Sequence, residues 1–192
     1  AQLSYFLDID VTEAQNIRRE QGLGMAEVLI KATTEALIRV PALNSVLVND
    51  VIMKFDRVNI AFAVALDDGL VVPVIRETNS KNIREIAGEV KTLADAAKNG
   101  ILGPDDFMGG TFTISILGSV DGFTPILNQS QVGLLGVGRS IQKPIVKDGL
   151  VVIREMMTLS LTGDHQVVDG AVAASFFRRL QRLIESPSKL FS

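Results

Sequence analysis

Few side chains in this chain can move a proton near neutral pH. There is one histidine, His165, and there is no cysteine. His165 stands in Gly163-Asp164-His165-Gln166-Val167-Val168-Asp169-Gly170, after a strand-like run and before a helix-like one. An imidazole ordinarily titrates near pH ~6.5, which suits a general base at pH 7. A lone histidine is more often packed or solvated than catalytic, but a strand-to-helix corner presents its side chain outward over a cleft. Asp169 could orient the ring or brace the loop, and the spacing leaves both open. The second candidate is Ser115, in Thr111-Phe112-Thr113-Ile114-Ser115-Ile116-Leu117-Gly118. A hydroxyl in an apolar strand can donate to an oxyanion, although hydroxyls are also routine on strand faces. No G-x-S-x-G elbow surrounds Ser115, so it lacks the setting of a serine nucleophile.

Other chemistries are excluded by type. Without cysteine there is no disulfide, thiolate zinc site, iron–sulfur cluster or cysteine nucleophile. A transition-metal site would need several carboxylates, and none cluster at ligand spacing. Gly133-Leu134-Leu135-Gly136-Val137-Gly138 is not a dinucleotide fingerprint, and no phosphate-loop motif occurs. Nineteen Lys and Arg stand against 22 Asp and Glu, a net charge of −3 that argues against nucleic acid as a partner. No run reaches the roughly 18–20 apolar residues needed to span a bilayer. The best stretch, Val58 to Ile75, is broken by Asp67-Asp68-Gly69. No signal peptide opens the chain. The first residue is Ala1 and not Met, so a piece of a longer polypeptide is expected. At 192 residues and 47% hydrophobic, the chain is expected to fold as one domain with a sizeable core.

The elements that must position these side chains alternate along the chain. Leu3–Asp10 reads as a strand, and Thr12 to Gln15 fits a capping box for a following helix. Met25–Arg39 has helical apolar spacing and ends before Pro41. Val46–Phe55 is β-like with a turn at Asn49-Asp50. Val58–Leu66 and Leu70–Ile75 read as strands joined through Asp-Gly, a hairpin signal. A second long helix carries Ile83, Ile86, Val90, Leu93 and Ala97, with Gly100 as its C′ residue. Thr111–Leu117, Val132–Val137, the pair Ile141–Val146 and Leu150–Ile153, and Met156–Leu161 follow as strands. Gly170–Glu185 is a last helix, closed by Pro187. The fold class expected is α+β, an α/β sandwich with a mixed sheet and about four helices. Strands that are apolar on nearly every residue must be covered on both sides, by helices or by another subunit.

His165-Gln166-Val167-Val168-Asp169-Gly170 resembles the H-x-x-x-D-G signature of the dihydrolipoyl acyltransferases, the catalytic cores of 2-oxo-acid dehydrogenase complexes, which chloramphenicol acetyltransferase shares. The likeness runs through almost the whole chain. Pro41-Ala42-Leu43-Asn44, Val58-Asn59-Ile60-Ala61, Asp68 to Arg76, Gly109 to Ser115 and Phe123 to Asn128 resemble family segments in the family's order. The resemblance implies a chloramphenicol acetyltransferase-like trimer in which residues 1–192 are the acyltransferase catalytic domain. It implies acyl transfer, acetyl first, between dihydrolipoamide and coenzyme A within a pyruvate or acetoin dehydrogenase complex. His165 would be the base and Ser115 the oxyanion donor, from different subunits, with Asp169 the third catalytic candidate, partnered by the basic arm. Coenzyme A would run past Ser115, Ile116, Gly138 and Ser140. The lipoyl group would come on a separate lipoyl domain. The implied partners are the other copies of a larger core, lipoyl domains, the 2-oxo-acid decarboxylase and dihydrolipoamide dehydrogenase. The implied compartment is the cytoplasm, or else the mitochondrial matrix.

The sequence also departs from the family pattern. Gln166 replaces an arginine, Ile116 an asparagine, and Gln129-Ser130 a Pro-Pro pair. The stretches from Glu20 to Met25 and from Gly118 to Phe123 are short, and the basic arm before Leu3 is missing. The Gln166 and Ile116 departures motivate a second expectation, a catalytically silent structural core. Branched-chain acyl transfer is the alternative within the family, and a chloramphenicol-type transfer to a hydroxyl is a third reading.

Overall fold

The computed structural model describes residues 1–192. Eleven strands and four α-helices follow one another as β1 (Gln2–Asp10), α1 (Thr12–Gln21), α2 (Met25–Arg39), β2 (Ser45–Val48), β3 (Val51–Lys54), β4 (Ile60–Phe62), β5 (Val64–Leu66), β6 (Gly69–Val71), β7 (Val74–Ile75), α3 (Ile83–Lys98), β8 (Phe112–Ile116), β9 (Gly133–Val137), β10 (Ile141–Lys147), β11 (Leu150–Asp164) and α4 (Gly170–Glu185). Seven strands form one mixed sheet in the order β1-β11-β9-β8-β4-β7, with β10 paired to the outer half of β11. β8 runs parallel to both β9 and β4, and the other pairs are antiparallel.

Strand alternation splits the sheet into two faces of different chemistry. Phe112, Ile114, Leu135, Leu159 and Leu161 point to the helix side and are buried. There α4 closes on the sheet, with the Phe176 ring 5.8 Å from that of Phe112. The opposite face carries Thr113, Ser115, Gly136, Ser160 and Thr162. Part of it lies under the segment 118–131. Thr113 donates to Gln131 Oε1 at 2.6 Å and accepts from Asn128 Nδ2 at 2.7 Å, which ties that segment down. A mixed sheet flanked by helices is the fold class expected.

Some local expectations are corrected. The capping box at Thr12 does not form. The helix N-cap is Val11, and the Thr12 hydroxyl accepts instead from the Glu155 amide of β11 at 2.9 Å, a partner remote in sequence. A capping box does form at Asn82 and Glu85, opening α3. The run Val58–Leu66 breaks at Ala63 and Leu70–Ile75 breaks at Val72-Pro73, so β4 and β7 join the main sheet while β5 and β6 pair only with each other. Proline has no amide to give to a ladder, which ends the pairing there. Leu150–Ile153 and Met156–Leu161 are one strand, β11, of 15 residues. Its first half pairs with β10, its second half with β1 and β9. The turn at Asn49-Asp50 is as expected, with φ of 49° and 60°, the left-handed pair of a tight hairpin.

Candidate active site

His165 is the residue immediately beyond the end of β11, and its side chain is exposed. The strand ends because Asp164 turns the chain. The Asp164 amide donates to Val132 O at 3.0 Å, and its carbonyl accepts from Val167 at 2.9 Å and Val168 at 2.8 Å. Its carboxylate Oδ1 accepts from the Gln166 amide at 3.0 Å. The His165 amide donates to Ala1 O at 2.8 Å. Beneath the turn Val168 is fully buried, and a β-carbon on Gly163 would lie 2.9 Å from it.

Asp169 does not reach back to the ring. It is the N-cap of α4, where its Oδ1 accepts from the Val172 amide at 2.9 Å. Of the two readings left open by spacing, the structure places this side chain in the loop-bracing arrangement. No hydrogen bond within the chain engages either ring nitrogen of His165, and the side chain is exposed.

Ser115 is the fourth residue of β8 and half-buried. Its register is fixed across three strands, Ser115 opposite Gly136 and Gly136 opposite Ser160. With strands about 4.8 Å apart and a rise of about 3.3 Å per residue, Ser160 lies ~10 Å from Ser115 and His165 a further ~16 Å along β11. The two candidate residues are therefore about 19 Å apart within one chain, at opposite ends of the sheet. Catalytic partners must approach to hydrogen-bond distance, ~3 Å. One copy of this chain does not bring them together.

The remaining candidates gather at the Ser115 end. Ile116 closes β8 and is exposed. Gly138 is buried under the turn that follows, where a β-carbon would lie 1.9 Å from Asp121 O. Arg139 pins the same turn, its amide donating to Val120 O at 2.8 Å and its Nε to Asp121 Oδ1 at 2.6 Å. The Ser140 hydroxyl accepts from Gln15 Nε2 at 3.2 Å. Ile116 and Ser140 can line a path for a ligand, whereas Gly138 allows the close approach that shapes it. Two residues near this end were not among the candidates. Ser160 Oγ is buried without a partner beside Gly136, and Asp121 holds Arg139. Cross-strand register and a long-range ion pair, which place them here, leave no local signature.

The whole chain, residues 1–192, matches the family of 2-oxoacid dehydrogenases acyltransferase (catalytic domain). It is 37% identical over 180 residues to the dihydrolipoyllysine-residue acetyltransferase component of the pyruvate dehydrogenase complex of Rickettsia prowazekii, covering 93% of this chain and 44% of that protein. It is 34% identical over 204 residues to the lipoamide acyltransferase component of the branched-chain alpha-keto acid dehydrogenase complex of Pseudomonas putida, covering 100% of this chain and 48% of that one. The chain thus spans about half the length of the curated relatives it matches. Among solved structures it superimposes at a TM-score of 0.94 and 34% identity on dihydrolipoamide acetyltransferase of Azotobacter vinelandii, covering 100% of this chain and 84% of that one. That enzyme was studied for the role of a serine, a histidine and an asparagine in its catalytic mechanism, the last two four positions apart. The cubic core of a pyruvate dehydrogenase multienzyme complex matches at 0.93 and 35% identity, over 100% of this chain and 84% of that one. Chloramphenicol acetyltransferase, at 0.66 and 16% identity over 95% of this chain and 88% of its own, shares the fold.

Proposed function

Because the chain belongs to the acyltransferase catalytic-domain family of the 2-oxoacid dehydrogenases, we propose that it moves an acyl group, acetyl first, between dihydrolipoamide and coenzyme A in such a complex. The observation that carries this reading is His165, exposed on a braced corner with both ring nitrogens unengaged. Its neutral imidazole takes the proton of the coenzyme A thiol. A thiol with a pKa of ~8.5 is a modest acid, so a neutral base suffices. The thiolate attacks the thioester carbonyl, and the tetrahedral oxyanion accepts a hydrogen bond from Ser115. One such donor is worth ~3–4 kcal/mol, or roughly 10²–10³ in rate. Collapse expels the dihydrolipoamide thiolate, which His165 protonates. The acyl group never rests on the protein, consistent with the absence of cysteine.

Ser115 and His165 meet in this scheme only if they come from two copies. Two observations support self-association into a trimer and a larger core. The ~19 Å separation within one chain leaves each half-site incomplete. The β10–β11 ribbon also projects past the sheet with Val146, Val151 and Ile153 on one face, each more than 60% exposed. An exposed apolar face of this kind is normally covered. The cubic core among the structural neighbours fits the same assembly. Asp169 serves as a positioning residue through its cap. The Azotobacter asparagine stands at the same four-residue spacing from its histidine, and asparagine caps helices as well as aspartate does.

On this reading residues 1–192 are the catalytic domain, and the lipoyl group arrives on a separate lipoyl domain, with decarboxylase and dihydrolipoamide dehydrogenase subunits as partners. No helix is long and apolar enough to cross a membrane, and the bacterial relatives favour the cytoplasm. Branched-chain transfer is the second reading, favoured by the Pseudomonas relative. The deciding experiment is thioester exchange between acetyl-, isobutyryl- and succinyl-coenzyme A and dihydrolipoamide on the assembled protein. Acetyl transfer abolished by His165→Ala is expected. An intact assembly without turnover on any of the three would leave the silent-core reading in its place. Preference for a small alcohol over dihydrolipoamide would point to the chloramphenicol-type reaction.

A further inference from the structure

Two carboxylates flank His165, and neither contacts the imidazole. Asp169 caps α4. Asp164 closes the turn on which His165 stands, and we propose that Asp164 is a positioning residue for acyl transfer, aiming the imidazole as a neutral hydrogen-bond acceptor would and not as a charge. This rests on His165 being the base.

Asp164 makes four bonds that define the corner. Its amide fixes the end of β11 to Val132 O at 3.0 Å. Its carbonyl receives the Val167 and Val168 amides at 2.9 and 2.8 Å. Its Oδ1 receives the Gln166 amide at 3.0 Å, an Asx turn spanning His165. The first two kinds of bond come from the backbone and any residue could make them. The third needs a side-chain acceptor one carbon from Cβ. Without it the Gln166 amide loses its partner, and the turn is held by the Asp164 carbonyl alone, so the corner can shift. The path of the backbone through this corner sets where the His165 Cα–Cβ bond points. The charged groups near the carboxylate are few. No side-chain ion pair engages it, and the Asp169 carboxylate is taken up by the Val172 amide. The bond itself does not require the negative charge, because an amide oxygen at the same position also accepts from a backbone N–H.

The test compares Asp164→Asn, Asp164→Glu and Asp164→Ala in the full assembly, with turnover and KM for both dihydrolipoamide and coenzyme A, and the pH profile of kcat/KM. Asp164→Asn is expected to keep turnover within about threefold of the parent and the same acid-limb midpoint. Asp164→Ala is expected to lose about 10- to 100-fold in kcat with both KM values little changed, the size of loss that a small misplacement of a catalytic group produces. Asp164→Glu keeps the charge but displaces the acceptor by a methylene, and is expected to fall with Ala. It also carries the comparison should the alanine variant fail to assemble. The proposal is overturned if Glu is active and Asn is not, if Asn shifts the acid limb downward, or if Ala retains parental turnover. His165→Ala, run alongside, separates these outcomes from failure of the base assignment. A His165→Ala protein with parental turnover would remove the base itself, whatever the Asp164 variants do.

Discussion

Ser115 and His165 lie on one sheet but at opposite ends of it, about 19 Å apart by strand spacing and rise. The register that separates them runs Ser115–Gly136–Ser160, with His165 five residues further along β11. A reaction that needs both must be assembled from two copies. Mixing His165→Ala and Ser115→Ala subunits by joint refolding is therefore expected to restore activity that neither has alone. With random mixing, about one interface in four of a cyclic oligomer carries both intact residues, so about a quarter of the parental rate should return. Failure to recover any activity in mixed assemblies would confine the site to one chain.

The β10–β11 ribbon gives a second expectation. Val151 and Ile153 are 74% and 61% exposed on its apolar face. Replacing both with lysine should leave the fold of each chain intact, because neither belongs to the buried core. It should shift sedimentation from the assembled species toward the monomer. An unchanged sedimentation profile would show that another surface holds the copies together.

Asp169 tests the cap. Asp169→Ala removes the acceptor for the Val172 amide at the start of α4 and should cost ~1 kcal/mol. For a chain of this size that is a fall in Tm of roughly 2–4 °C. Asp169→Asn should keep most of the stability. If the asparagine variant melts as low as the alanine variant, the charge and not the cap is what α4 needs.

An ion cluster joins β1, α1 and β11. Arg154 lies 2.7 Å from Asp10 and 3.2 Å from Glu13. Burial pushes the Asp10 carboxyl up, but hydrogen bonds from Thr12 and Arg154, with the charge of Arg154, outweigh it and hold its pKa below the usual 3.8. The folded carboxyl thus binds fewer protons than the unfolded one. Its contribution to stability is present above pH 3.8 and is lost as pH falls through the lower folded value. Urea midpoints of Asp10→Asn should be lower than the parent near pH 7 and should converge with it in acid. A constant difference across that range would contradict the assignment.

Gly138 probes the rim of the Ser115 end. A β-carbon there would sit 1.9 Å from Asp121 O, a backbone atom. Gly138→Ala should displace the turn at 118–122 and destabilise the chain by ~1–3 kcal/mol, as overpacking does. Denaturant melts check the stability. The exchange assay should show a raised KM for coenzyme A if the ligand passes this rim.

Local pattern determined much of this protein. α2 spans Met25–Arg39 as its apolar spacing and Pro41 require, and α3, α4 and the Asn49-Asp50 hairpin follow from periodicity and turn chemistry. The lone His165 in a strand-to-helix corner was legible because it depends only on neighbours in the chain. Other features were settled by partners far away in sequence. Thr12 looked like a cap and became an acceptor for Glu155, because the strand beside it offered an amide. Ser115 and His165 were legible by type, but only the register through β9 and β11 sets their separation within one chain, at opposite ends of the sheet. Strand register sums many hydrogen bonds and apolar contacts between remote segments. Neither residue type nor spacing along the chain encodes that sum, so distance in space had to come from the tertiary structure.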